Sequence, residues 1–231
     1  MFRFSRTTNP LSEGKPYTSD DRHTLHYVLV VDRSGSMAIR MQEVLGAVNR
    51  QIETLTQESK ASGSKCLLSV VRFDDEIEIL HLEKPVEEVR PITADMLAPR
   101  GLTALVDATT LSIERAAELF GNRIDGEKES LAMVIYTDGG ENTSRLRTIT
   151  DLKIALKNHQ DLPGWDIAFV GASVEAFTMM EQVDFSRQKM VNVPPSASGW
   201  AMDEMSTLLK EKMNHKKAFD LGDIQRKARR K

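Results

Sequence analysis

Apolar residues recur along this chain with two periods, and the switching between them lays out the elements. Runs such as Val28-Leu29-Val30-Val31 and Leu131-Ala132-Met133-Val134-Ile135 are apolar at consecutive positions, as in strands buried on both faces. Between them Met41, Val44, Leu45, Val48, Ile52 and Leu55 return every three or four residues. That spacing predicts an amphipathic helix over 41–59, closed by Ala61-Ser62-Gly63-Ser64. The same reading predicts strands at 25–31, 67–73, 77–82, in the run ending at Tyr136, at 165–170 and at 189–193. Further helices are expected at 104–120, 149–158, 174–181 and 198–213.

The link Asp74-Asp75-Glu76 is too short for a crossover, so the strands around it form a hairpin and one of them is an antiparallel edge. Residues 83–100 carry Pro85, Pro91 and Pro99 and read as a surface excursion. Elsewhere strands alternate with helices. The expected fold is therefore α/β and doubly wound, a mainly parallel sheet with one antiparallel edge strand and helices on both faces. A chain of 231 residues can bury one substantial core. Residues 1–22, interrupted by Pro10, Gly14 and Pro16, read as an arm, residues 23–215 as the domain and residues 216–231 as a basic tail.

The apolar run of the first strand ends in Asp32-Arg33-Ser34-Gly35-Ser36-Met37. In an open α/β sheet, the loop after a strand sits at the carboxyl edge, where ligands bind. A carboxylate with two hydroxyls is a hard donor set, suited to Mg²⁺ or Mn²⁺ and ill suited to zinc, which favours nitrogen and sulfur. Two other segments bring oxygen groups to a strand or loop end: Gly101-Leu102-Thr103 ahead of a helical pattern, and Thr137-Asp138-Gly139-Gly140 after an apolar strand. Taken singly, each has an ordinary reading. Asp, Ser and Gly favour turns, Thr103 suits a helix cap, and spacing does not show that the three loops meet.

Asp32-x-Ser34-x-Ser36, Gly101-x-Thr103 and Thr137-Asp138-Gly139 together, in this order, resemble the metal-ion-dependent adhesion site of von Willebrand factor A (vWA) domains. The resemblance extends over residues 25–213 and implies a Rossmann-like sheet of six strands in the order 3-2-1-4-5-6. It implies that Asp32, Ser34, Ser36, Thr103 and Asp138 hold Mg²⁺, with Mn²⁺ as a substitute, and leave one position for a partner's Asp or Glu. It further implies an intracellular protein like the small bacterial and phage vWA proteins, with a MoxR-type AAA+ ATPase or a stress-response complex as partner. Arg33, Met37, Arg100, Glu141 and Asn142 are the expected exposed determinants of partner choice, on their proximity in sequence to the metal loops. The expected function is thus a Mg²⁺-dependent protein-binding module. A metal-independent scaffold and a Mg²⁺-dependent phosphohydrolase are the alternatives.

An enzyme is not expected. A haloacid-dehalogenase-like phosphatase needs a second aspartate two residues after the first as general acid, and Ser34 stands there. Arg33-Ser34-Gly35 lacks the G-x-S-x-G frame of a nucleophile elbow, and no phosphate-binding G-x-x-x-x-G-K-[ST] loop occurs. The five histidines show no useful metal-ligand spacing. Asp74-Asp75-Glu76 reads as an acidic hairpin turn, with Asp74 structural, and Met179-Met180 as core packing. Cys66, the single cysteine, excludes an internal disulfide and is expected to be a buried thiol.

A net charge of −3 gives no global drive towards nucleic acid or an anionic membrane. The cluster Arg226-Lys227-Ala228-Arg229-Arg230-Lys231 is expected to be a solvated terminus rather than a nucleic-acid arm. Without an apolar signal region or a bilayer-length apolar run, the expected location is the cytoplasm.

Overall fold

The strand Thr24–Asp32 (β1) lies in the interior of the sheet because both of its faces are apolar. Leu25, Tyr27, Leu29 and Val31 project to one side and Val28 and Val30 to the other, as the two-residue period of a strand requires. The computed structural model describes residues 23–171, 173–194 and 197–230. The expected arm at 1–22 lies outside the described residues.

After β1 come a 3₁₀ turn (Gly35–Ile39), α1 (Met41–Ser62), β2 (Lys65–Phe73) and β3 (Ile77–Pro85). Two short 3₁₀ turns, Val86–Glu88 and Ala94–Leu97, lead to α2 (Leu105–Phe120), β4 (Glu129–Thr137), α3 (Ile149–His159) and β5 (Trp165–Gly171). The chain continues through α4 (Val174–Gln182), a 3₁₀ turn (Arg187–Lys189), β6 (Met190–Asn192), α5 (Ser198–His215) and α6 (Gly222–Ala228). The six strands form one sheet in the order β3-β2-β1-β4-β5-β6. Every pairing is parallel except β2 with β3. This is the doubly wound arrangement expected from the sequence, with the antiparallel strand at one edge.

Helices cover both faces. Val44, Val48 and Leu55 of α1 join Met202, Met205 and Leu209 of α5 against one set of β1 side chains. Ile113 and Phe120 of α2, Leu152 and Leu156 of α3 and Met180 of α4 pack on the other. Each such side chain contributes about 1.5–3 kcal/mol on full burial. Met179 and Met180 are both buried, as their helical spacing suggested. Cys66 is buried too, and burial raises its thiol pKa far above the ordinary value, so it is inert near neutrality.

The sequence reading needs correction at the C-terminal end. The stretch assigned to a solvated basic tail contains α6, and Leu221, Ile224 and Ala228 are buried in the same cluster as α1 and α5. The physical reason is a three- and four-residue apolar spacing hidden among cations that face outward. The Gln225 side chain donates from Nε2 to the Met190 carbonyl of β6 (2.8 Å), tying this helix to the sheet edge. The opposite edge also differs: β3 runs on to Pro85, past irregular pairing with β2. There Glu83 has φ 45° and its N–H bonds to Ser69 Oγ (3.0 Å) instead of a ladder carbonyl. Among the described residues no helix is long and apolar enough to cross a membrane.

Candidate functional site

β1 and β4 are neighbours in register, with Val31 opposite Tyr136, so Asp32 and the Thr137-Asp138 pair emerge side by side at the carboxyl edge. Register thus joins residues about a hundred positions apart in sequence. Asp32 is fully buried and takes only uncharged donors: the Ser34 N–H to Oδ1 (2.6 Å) and the Thr137 hydroxyl to Oδ2 (2.5 Å). Burial pushes its carboxyl up to about 6 despite these bonds, and the nearby Asp138 adds to the rise. Ser34 Oγ and Ser36 Oγ are 3.1 Å apart, and the Ser36 hydroxyl donates to Asp138 Oδ1 (2.7 Å).

The third loop reaches the same place by backbone bonds. The Arg100 N–H meets the Arg33 carbonyl (2.8 Å) and the Gly35 N–H meets the Gly101 carbonyl (3.2 Å), so residues 100–101 run along the first loop. Gly101 has φ 65°, and a Cβ there would lie 1.9 Å from Asp75 Oδ1. Glycine suits that turn, because any other side chain would be strained there and would displace the Asp75 carboxylate. Thr103 follows, nearly buried, held by its N–H on Asn142 Oδ1 (2.8 Å) and by its carbonyl on the Asn142 N–H (3.1 Å). A Cβ placed on Gly139 would sit 2.9 Å from Thr103 Oγ1 and 3.3 Å from Ser36 Oγ, so both hydroxyls converge on the β4 loop.

The five residues singled out in the sequence, Asp32, Ser34, Ser36, Thr103 and Asp138, therefore occupy one small region. Asp32, Ser34, Thr103 and Asp138 are buried, and Ser36 is exposed, which sets the cluster at the surface. Among the described residues no three His, Cys, Asp or Glu side chains group as a metal site. A cation here would depend on hydroxyls to complete its shell. Two carboxylates and three hydroxyls, with neither nitrogen nor sulfur, suit a hard oxygen-seeking ion such as Mg²⁺.

The expected partner determinants fare differently. Arg33 is buried, held by Asp74 (Nε to Oδ2, 3.0 Å) and Glu78 (Nη2 to Oε2, 2.8 Å). Met37 is fully buried in the core beneath α1, because the 3₁₀ turn aims it inward. Neither is available to a partner, so proximity in sequence misplaced both. Glu141 spends its carboxylate on the backbone N–H groups of Val106, Thr143 and Ser144, and Asn142 anchors Thr103 while remaining exposed. Arg100 is exposed and bridges Asp74 (2.7 Å) and Glu76 (2.5 Å).

Three residues act in the site without a role having been assigned to them from the sequence, although Thr137 and Gly139 stand in the Thr137-Asp138-Gly139 motif. Thr137 orients Asp32. Gly139 permits the close approach of the hydroxyls. Arg40 pairs with Asp138 (Nη1 to Oδ2, 2.6 Å). Thr137 and Gly139 flank Asp138 and were visible as neighbours, whereas nothing in the sequence connects Arg40 with Asp138.

Solved structures share this architecture. A von Willebrand factor type A protein from Catenulispora acidiphila superposes with a TM-score of 0.55 over 83% of this chain and 43% of its own, at 15% identity. The fold is vWA-like. Proximal thread matrix protein 1 of the mussel byssus, described with a zinc-occupied MIDAS motif, gives 0.53 over 84% of this chain and 47% of its own, also at 15% identity. The PilB minor pilin of Streptococcus sanguinis gives 0.61 over 88% of this chain and 67% of its own, at 11% identity. The chain thus spans less than half the length of the first two, and such identities speak for the fold alone. No family model and no curated protein matches the sequence.

Proposed function

We propose that this vWA-like domain is a cation-dependent protein-binding module. Asp32, Ser34, Ser36, Thr103 and Asp138 would hold Mg²⁺, and a partner's Asp or Glu would complete the shell. The observation that carries the reading is the convergence of five oxygen-bearing side chains from three loops beside the buried, neutrally solvated Asp32. Five side-chain oxygens leave an octahedral Mg²⁺ one position short, and a partner's carboxylate oxygen is a hard ligand of the kind that ion takes. Catalysis has no support in this donor set, since Ser34 stands where a phosphatase would need its acid.

The surroundings favour a protein partner. Ile39 at the end of the 3₁₀ turn, Leu102 in the loop before α2 and Val174 at the start of α4 are exposed apolar side chains at this edge of the sheet. Val174 belongs here because its neighbour Glu175 lies against Gly140, where an added Cβ would be 2.9 Å from Glu175 Cβ. A partner would bring a carboxylate to the ion and apolar groups to this rim. An intracellular partner of the MoxR-type ATPase or stress-complex kind belongs to this reading, and pull-down with and without EDTA would identify it.

The test is a Mn²⁺ titration followed by electron paramagnetic resonance. One saturable ion in the wild type, weakened at least tenfold in Ser36→Ala with the fold retained by circular dichroism, is the expected result. No saturable binding at millimolar Mn²⁺ would overturn it. One observation favours a second reading, a scaffold that needs no metal: Arg40 already supplies Asp138 with a cation.

A further inference from the structure

The Arg40–Asp138 contact is out of place by every local rule. Arg40 is the N-cap residue of α1, makes no side-chain cap there, and sits at the positive end of the helix dipole. A neutral or acidic residue would suit that field better. The chain instead turns Ile39 almost wholly into solvent and directs the next side chain inward, so that the Arg40 guanidinium, mostly covered, reaches Asp138 Oδ2 at 2.6 Å. Asp138 Oδ1 is engaged by the Ser36 hydroxyl. Both oxygens of a carboxylate in the candidate metal site are thereby occupied, one of them by a cation carried on the chain itself.

We propose that Arg40 is a built-in competitor for the divalent cation. Resting on the metal-binding reading above, this makes Arg40 the residue that sets how much free Mg²⁺ the site needs. A guanidinium at hydrogen-bond distance from a ligand carboxylate opposes a divalent ion in two ways: it holds the oxygen, and it repels the incoming charge at short range where screening is weak. Without the cation, the ion pair neutralises Asp138 and anchors the start of α1 to the β4 loop. With the cation bound, the contact loosens, and Arg40 is free to meet an anionic partner at the rim. The site would then exchange one positive charge for another instead of filling from an empty state.

Two variants separate this from a structural role. Arg40→Gln removes the charge, and Arg40→Lys keeps it. After treatment with EDTA, Mn²⁺ affinity is read by electron paramagnetic resonance and metal-free stability by thermal unfolding. The expected result is Mn²⁺ binding at least tenfold tighter in Arg40→Gln, near wild type in Arg40→Lys, with a lower melting temperature for Arg40→Gln in EDTA and a larger rise on adding Mn²⁺. Arg40→Met, which keeps the aliphatic stem, serves the same comparison if Arg40→Gln folds poorly. Unchanged or weaker binding in the charge-removing variants, with Ser36→Ala still weakening it at least tenfold, would overturn the competitor and leave the metal site standing. If neither wild type nor Arg40→Gln binds Mn²⁺ saturably, the competitor and the metal site fall together.

Discussion

Asp32 and Asp74 are both fully buried carboxylates at the ends of neighbouring strands, and the chain treats them in opposite ways. Asp74 receives two guanidinium groups, Arg33 at 3.0 Å and Arg100 at 2.7 Å, plus the Glu76 N–H at 2.7 Å. Asp32 receives only uncharged donors, and burial raises its carboxyl to about 6 in spite of them. One carboxylate is neutralised by the protein and serves as an anchor, fastening the β2–β3 hairpin to both neighbouring loops. The other is left wanting positive charge at the carboxyl edge, where an α/β sheet exposes its ligand sites. Burial is common to both carboxylates, and the counter-charge belongs to Asp74 alone.

The comparison can be broken most severely at Asp74. Asp74→Ala should cost about 3–5 kcal/mol, because it strands the buried Arg33 guanidinium, and urea unfolding would measure the loss. A cost under 1 kcal/mol would show that Glu78 alone suffices for Arg33. The opposite sign is expected across the strand pair. Asp32→Asn should stabilise the metal-free protein by up to about 3 kcal/mol at pH 7, since each unit of pKa shift is worth about 1.36 kcal/mol. Destabilisation in EDTA would mean that the carboxylate is better satisfied than its hydrogen bonds suggest.

The same quantity appears as a dependence on pH. The folded-state pKa of Asp32 lies above its unfolded value, so the folded chain keeps a proton that the unfolded chain has lost. Its contribution to stability is therefore fully present below about pH 4, falls as pH rises towards 6, and is flat above that. Ordinary ion-paired or hydrogen-bonded carboxylates run the other way, as at Asp125, held low by the backbone N–H groups of Glu129 and Lys128. The difference between wild type and Asp32→Asn isolates the term: the variant's advantage in EDTA should vanish at pH 4 and be complete by pH 7. Saturating Mg²⁺ should erase it altogether. The smallest effect is expected at Thr137→Val, which removes the hydroxyl donor to Asp32 and should cost about 1 kcal/mol, read as a lower melting temperature in EDTA.

Much of this was visible in the sequence. Alternating periods predict a mainly parallel sheet, and the apolar runs of β1 and β4 leave no exposed face, whereas the strand order is what the resemblance to vWA domains implies. The hard-donor loops could be read from Asp32, Ser34, Ser36, Thr103 and Asp138, since their chemistry is local. What could not be read depends on partners distant in the chain. Arg33 looked exposed because only the fold brings Asp74 to it, and Met37 looked exposed because a 3₁₀ turn, unlike a strand, returns that side chain to the core. Arg40 lies outside every motif, and its role exists only through Asp138. The helix at the C-terminal end was masked by charge: Arg226, Lys227 and Arg229 dominate a stretch whose buried face is three small or aliphatic residues.

Gln225 and Glu83 also decide how the flanks of the sheet behave. A β-sheet ends in rows of unpaired backbone groups, which another chain can adopt as a template. On the β6 side, the Gln225 amide corks the Met190 carbonyl. On the β3 side, the turn at Glu83 and the Ser69 hydroxyl break the straight run of the strand. Each flank of the sheet thus offers an incoming strand a shortened or interrupted template.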